Sequence, residues 1–333
     1  MGRFKVALID KTPEQVPDWA PGELAAADID YVFEPCATVD DLKRVAGDAD
    51  VLWIYGGNRL ARGENLDLLP KCGAIIRSGS GVDVIDVDAA TARGMLVCNT
   101  PLAHNGPVSD HTISLIFAVG RRIVAQDHIT RNGDWSQRGK ALPEWHLAGR
   151  TLGLLGFGHI PRQLARKLSG FDLKVLVFDP YVDADTLAQY NAQSASLDEV
   201  LSQSDVVSIH TPLTAETHHL FGEREFKLMK QSAILINTAR GPIIDEAALY
   251  RALTEGWITG AGLDVFEQEP SPADNPLFQL DNIVVTPHTA GVSDESVEAT
   301  WRLSVEMVIQ MADGKYPRSY VNRDCKPRWS LVK

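Results

Sequence analysis

Cysteine is scarce. The chain has four in 333 residues, Cys36, Cys72, Cys98 and Cys325, with no CxxC pair among them. They read as buried or incidental thiols of a protein working in a reducing cytoplasm. Long apolar runs are missing as well. The run 112–120 is about half of the ~18 apolar residues that a membrane span requires. Near the N-terminus, the apolar run 4–9 is cut by Asp10, so it reads as a first strand rather than a signal peptide. Gly2 lacks the Ser or Thr that myristoylation needs four residues on; Val6 stands there. Positive charge is in deficit, with 32 Lys and Arg against 44 Asp and Glu and a net charge of −12. That balance argues against a nucleic-acid footprint and against adhesion to anionic membranes. There is no low-complexity segment and no short-period repeat.

What remains is an ordinary globular composition, 44% hydrophobic and 23% charged, in a length that suits about two domains. Short apolar runs at residues 4–9, 50–55, 74–76 and 95–98 are separated by helix-period stretches such as 38–46 and 87–93. Two of these runs lead into glycine loops, Gly56-Gly57 and 78–81. This alternation points to a parallel sheet covered on both faces. A helix pattern follows over 108–122, with Ser109 or Asp110 as its cap and two arginines at its end. Next comes a polar, glycine-rich stretch, 131–149, with Trp135 and Trp145 as packing anchors.

A second series opens at Arg150, with strands expected at 151–155, 174–179, 206–210, 233–237, 260–264 and 282–286. Six strands with intervening helices match a doubly wound dinucleotide fold. The amphipathic segment 294–312 comes after that sheet is complete and is expected to return to the first domain. The expectation is therefore an α/β protein of two Rossmann-like, doubly wound parallel-sheet domains with a cleft between them. Residues 1–105 with 293–333 would bind substrate, and 106–292 would bind a dinucleotide.

Within the second series, the strand 151–155 runs into Gly156-Phe157-Gly158 and then a helix expected at 162–168. Gly156 permits a tight turn, and Gly158 lets the backbone approach a pyrophosphate on the positive helix end. Asp179 ends the next strand, 21 residues after Gly158, where an acidic residue accepts the adenosine ribose hydroxyls. The third glycine of the fingerprint is replaced by Pro161. Proline is tolerated in a first helical turn, and the amides of His159 and Ile160 remain, so binding is expected to survive with a displaced helix start.

Three further motifs each follow an expected strand: 237–241 (NTARG), 264–270 (DVFEQEP) and 286–291 (TPHTAG). The carboxyl edge of an open α/β sheet is where ligands bind, so Arg240, Glu269 and His288 can converge. Arginine offers a planar fork for a carboxylate. Histidine exchanges protons near neutrality, and a neighbouring glutamate orients its ring and stabilises the charged form.

With residues 210–214 (HTPLT), 245–249 (DEAAL) and 77–101 (RSGSGVDVIDVDAATARGMLVCNTP), these motifs resemble the D-isomer-specific 2-hydroxyacid dehydrogenases over about residues 50–322. The resemblance implies NAD-dependent hydride transfer between nicotinamide C4 and C2 of a small 2-hydroxy or 2-oxo acid. It assigns the substrate carboxylate to Arg240, the acid/base role to His288 and its support to Glu269. It also places the carboxylate on amides of the 78–81 loop, chiefly Ser78 and Gly79. Cofactor contacts fall on Ser80, Thr211, Thr238, Ala239, Asp264 and 288–291, including Gly291, besides Gly156, Gly158, His159, Ile160 and Asp179. A homodimer is the family's usual assembly.

An NAD-sensing, non-enzymatic scaffold of the C-terminal-binding corepressor type keeps a similar triad and is the alternative. Formate dehydrogenases share the architecture but pair their histidine with Gln, where Glu269 stands here. The loop 55–59 (YGGNR) is a poor phosphate site compared with phosphoglycerate dehydrogenases, so a small unphosphorylated acid is expected. Thr217-His218-His219 has no completing metal spacing and reads as a solvated loop. His104 and His111 flank the start of the long helix and receive no role.

Overall fold

The computed structural model describes residues 3–139 and 145–332. Met1, Gly2 and residues 140–144 lie outside the described residues, and with them the reading of Gly2 and part of the polar stretch 131–149. Two compact units are present, residues 1–104 with 293–333 and residues 105–292.

The first unit holds five parallel strands: β1 (Phe4–Leu8), β2 (Ile29–Phe33), β3 (Val51–Ile54), β4 (Ala74–Arg77) and β5 (Leu96–Asn99), in the order β2-β1-β3-β4-β5. Alternate residues of each strand enter opposite cores. Ala7, Leu52, Ile54, Ile75 and Val97 pack on one face. Val6, Leu8, Val51, Trp53, Ile76 and Cys98 pack on the other, against Trp301, Val305 and Val308 of the helix Asp294–Ala312. A strand buried on both faces reads as a continuous apolar run, as β3 (VLWI) does, whereas the edge strand β2 (IDYVF) is partly exposed and does not. The helix Asp294–Ala312 starts at an N-cap, Ser293, whose hydroxyl accepts the Ser296 amide at 3.1 Å. Burial pushes the thiols of Cys36 and Cys72 up to about 11, and that of Cys98 further up. Such thiols carry no thiolate chemistry near neutrality.

The second unit holds seven parallel strands, one more than the apolar runs show. They are β6 (Thr151–Leu155), β7 (Lys174–Phe178), β8 (Ala192–Ser194), β9 (Val206–Ile209), β10 (Ile234–Asn237), β11 (Gly260–Leu263) and β12 (Ile283–Val285). Their order is β12-β11-β10-β9-β6-β7-β8. The chain reverses direction across the sheet between β6 and β9, and such a switch point opens a crevice at the strands' carboxyl ends.

The long helix differs from expectation. It runs over Pro101–Gly120, so Ser109 and Asp110 lie inside it and cap nothing. Pro101 supplies a helix start with its φ already set. Pro107 is carried internally, and the Gly106 carbonyl beside it accepts Ser109 Oγ at 2.7 Å and Lys167 Nζ at 3.1 Å. Arg122 follows in a left-handed conformation with φ 51° and ends the helix.

Among the described residues no helix is long and apolar enough to cross a membrane.

Candidate active site

The glycine turn is built as a dinucleotide cradle. Gly156 follows β6 with φ +88°, and a Cβ there would meet the His210 carbonyl oxygen at 3.0 Å and the Thr211 nitrogen at 3.2 Å. Only glycine combines that φ with that approach. Gly158 caps the helix His159–Lys167, and a Cβ on it would meet nothing within 4 Å. The space above the helix end is open. The helix begins at His159, directly after Gly158, so the displaced start expected from Pro161 is not seen. Pro161 is its third residue, where no helical hydrogen bond is owed.

Asp179 lies just past β7. Its Oδ2 accepts the Phe157 amide at 2.7 Å, and its Oδ1 accepts the Tyr181 amide at 2.9 Å. The acidic residue and the glycine turn are therefore held together. Across the switch point, the buried hydroxyl of Thr211 has no hydrogen-bond partner among the described residues. A buried orphan hydroxyl beside an open helix end fits a ligand with polar groups.

His210 directly follows β9, and its Nε2 lies 2.9 Å from Ser208 Oγ. Burial pushes it down to about 3. A histidine depressed in the fold binds its proton more readily in the unfolded chain. Its contribution to stability is therefore present above the ordinary value near ~6.5 and is lost as pH falls from there toward about 3. His210→Asn should flatten the pH dependence of the unfolding free energy between about pH 6 and 4 by an amount approaching one proton. Urea titrations across that range check this, and an unchanged slope would contradict it.

The loops after β10, β11 and β12 form the second part of the site. Asn237, fully buried at the end of β10, folds the next turn from both sides. Its Oδ1 accepts the Ala239 amide at 2.9 Å, and its Nδ2 donates to the Arg240 carbonyl at 2.9 Å. Gly241 comes so close to the next loop that a Cβ would lie 1.8 Å from the Phe266 carbonyl carbon. That contact sets Arg240 beside the loop carrying Glu269. Arg240 Nη1 donates to the Ala239 carbonyl at 2.6 Å. Thr238 is buried, with its hydroxyl 3.0 Å from that of Thr112.

His288 Nδ1 and Glu269 Oε2 are 2.6 Å apart. The other glutamate oxygen accepts the Phe266 amide at 3.0 Å. Burial alone would raise the Glu269 carboxyl. The hydrogen bonds from His288 and Phe266 and the nearby charges of His288 and Arg240 outweigh it and hold the group below its ordinary value. Glu269 is thus an ionised partner for the ring. Asp264 is fully buried. Its Oδ1 accepts Thr286 Oγ1 at 2.5 Å and the Thr289 amide at 2.9 Å, and its Oδ2 accepts the Ala290 amide at 2.8 Å. Gly291 completes that loop.

In the first unit, Ser78 is consumed internally. Its amide donates to the Ile54 carbonyl at 2.8 Å, and its hydroxyl meets Trp53 Nε1 at 2.7 Å and Ser304 Oγ at 2.9 Å. The amide expected to meet the substrate anion is therefore already engaged by the Ile54 carbonyl. The amides of Gly79 and Ser80 are not so engaged, and the buried hydroxyls of Ser80 and Thr100 have no partner among the described residues. Thr100 carried no sequence signal beyond its place in a motif. The pair His218-His219 forms no ligand set: His219 Nε2 pairs with Glu267, and no group of three or more ligating side chains is placed for a metal among the described residues.

The model for the D-isomer specific 2-hydroxyacid dehydrogenase NAD binding domain matches residues 113–290. A glyoxylate reductase from Thermofilum pendens is 41% identical over 289 residues, 86% of this chain and 85% of its own length. The chain belongs to the D-isomer-specific 2-hydroxyacid dehydrogenases. The solved glyoxylate reductase of Paecilomyes thermophila is similar at a TM-score of 0.87 and 27% identity, covering 97% of this chain and all of that one. The D-lactate dehydrogenase of Aquifex aeolicus, solved with NAD and lactic acid, is similar at a TM-score of 0.82 and 30% identity, over 93% of this chain and 96% of that one. This dehydrogenase is an NAD-dependent oxidoreductase of 2-hydroxy acids.

Proposed function

We propose that this dehydrogenase reduces a small, unphosphorylated 2-oxo acid of the glyoxylate or hydroxypyruvate kind with NADH. In reverse it would oxidise the D-2-hydroxy acid. The observation that carries this reading is the 2.6 Å contact of His288 with an ionised Glu269 in the loops beside Arg240. Arg240 holds the substrate carboxylate with its fork and polarises the neighbouring carbonyl. His288 gives its proton to the carbonyl oxygen in reduction and takes it back in oxidation. Glu269 orients the ring through Nδ1, which leaves Nε2 for the substrate. Bound NADH supplies the hydride that adds to C2.

Gly156, Gly158, the amides of His159 and Ile160, Asp179, Thr211, Thr238, Ala239, Asp264 and Gly291 would hold the dinucleotide, and residues 1–105 with 293–333 are the part assigned to substrate. Residues 106–292 are assigned to NAD. A homodimer in the cytoplasm belongs to the same reading, and four unpaired thiols suit a reducing compartment.

An unphosphorylated substrate is supported at the loop after β3. Asp10 accepts the amides of Tyr55 at 2.9 Å and Gly56 at 2.6 Å, so donors that a phosphate would need are taken by a carboxylate. By its name, the Thermofilum pendens relative acts on glyoxylate. NADH consumption with glyoxylate, hydroxypyruvate, pyruvate and phosphohydroxypyruvate tests the reading. Turnover of the first two is expected. Turnover confined to the phosphorylated acid, or NADH binding without turnover of any, would overturn it.

Cofactor choice follows from Asp179, which is succeeded by Pro180 and a solvent-exposed Tyr181. A 2′-phosphate would meet a carboxylate there, and the Nε of Arg162 on the adjoining helix is engaged by the Phe157 carbonyl at 2.9 Å. NADH should be preferred over NADPH by at least about tenfold in kcat/KM, or ~1.4 kcal/mol. Equal efficiency with both cofactors contradicts the role of Asp179.

A further inference from the structure

His111, on the helix Pro101–Gly120, has no assignment in the mechanism above. Its Nε2 lies 2.9 Å from Thr286 Oγ1, which in turn lies 2.5 Å from Asp264 Oδ1. The same His111 nitrogen is 3.7 Å from that carboxylate oxygen. The carboxylate also receives the amides of Thr289 and Ala290, so it acts here as an acceptor. The single hydroxyl proton of Thr286 therefore goes to Asp264, and the Thr286 oxygen can only accept from His111. His111 Nε2 must carry a proton.

This short relay fixes the loop that presents His288. Asp264 binds that loop at four points. Its side chain takes Thr286, Thr289 and Ala290, and its main-chain oxygen accepts the His288 amide at 2.7 Å. His288 itself sits at φ +54°, a left-handed conformation uncommon for a residue with a side chain. Such a backbone persists when its surroundings over-determine it. The Thr286 hydroxyl is the side-chain member of the set and could rotate away; His111 is the group that holds its lone pair and so aims its proton at Asp264.

We propose that His111 is a positioning residue, which locks Thr286 onto Asp264 and thereby holds His288 in its left-handed turn. This rests on the acid/base role proposed for His288. His111 acts through Thr286, with which its Nε2 is in contact. The imidazole N–H can be replaced by an amide N–H of similar reach but not by an apolar side chain.

The test uses the full chain with NADH and glyoxylate, comparing His111→Leu, His111→Gln, Thr286→Val and Thr286→Ser. His111→Leu should lower kcat about tenfold, with the NADH dissociation constant and the glyoxylate KM changed less than about twofold. His111→Gln should recover most of the loss. Thr286→Val should reproduce it, and Thr286→Ser, which keeps the hydroxyl, should not. In the Thr286→Val background, His111→Leu should add nothing further.

The inference is overturned if Gln rescues no better than Leu, if the two losses multiply, or if KM rises while kcat is kept. If His111→Leu does not fold, the contrast between Thr286→Val and Thr286→Ser decides: similar kcat for the two overturns it. A wild-type protein that fails to reduce glyoxylate would overturn the underlying reading instead, so the two failures are distinct.

Discussion

His288→Ala should lower turnover at neutral pH by roughly 10²–10⁴-fold, the usual worth of a positioned general acid, while NADH still binds. The ring is the proton donor to the carbonyl oxygen, and water cannot be held in its place with the same orientation. Glu269→Gln should act through the same group. The Glu269 carboxyl is held below its ordinary value by the His288 hydrogen bond, the Phe266 amide and the nearby charges, so it is ionised throughout the assay range. Replacing it with an amide removes the counter-charge of the imidazolium. The falling limb of the reduction rate should then move to lower pH. Because the two residues act as a unit, the double variant should be little worse than His288→Ala alone. Reduction rates against pH for all four proteins check this. A limb that stays in place, or losses that multiply, would mean that Glu269 is not the partner of His288.

Arg240→Lys should cost nearly as much. The charge is kept, but the planar two-pronged contact with a carboxylate is lost. The expected loss in kcat/KM for the 2-oxo acid is about 10²-fold or more, in line with the misplacement of a reacting group. NADH binding, read by fluorescence, should remain near wild type, because the Arg240 carbonyl is held by Asn237 and the turn is fixed by the close approach of Gly241 to the Phe266 loop. Loss of cofactor binding or of the fold would reassign Arg240 to a structural role.

The central strands were legible to within a residue because each is buried on both faces and carries an unbroken apolar run. Two edge strands were not. Ile29–Phe33 interleaves Asp30 and Tyr31 with its apolar residues, and Ala192–Ser194 is three residues long and largely polar. An edge strand has one neighbour and is partly wet, so its pattern is diluted. The long helix was expected to begin at 108 with Ser109 or Asp110 as its cap, whereas it begins at Pro101 and carries Pro107 inside.

The chemistry-bearing residues stood in short motifs at strand ends and could be read. Their supports could not. Ser78 looked like a ligand contact until its amide and hydroxyl were seen to be engaged by Ile54, Trp53 and Ser304. The contact of His111 with Thr286 spans 175 positions of sequence, and no local pattern announces it. Motif spacing reports what one loop carries; which helix side chain locks that loop is decided by packing.

Reduction of hydroxypyruvate with NADH carrying deuterium at both C4 positions of the dihydronicotinamide tests the central claim most directly. The expected product is D-glycerate with one deuterium at C2 for each deuterated NADH consumed, formed by the wild type and nearly abolished in His288→Ala. Deuterium absent from C2, the L-isomer, or undiminished labelling by His288→Ala would contradict hydride transfer assisted by His288.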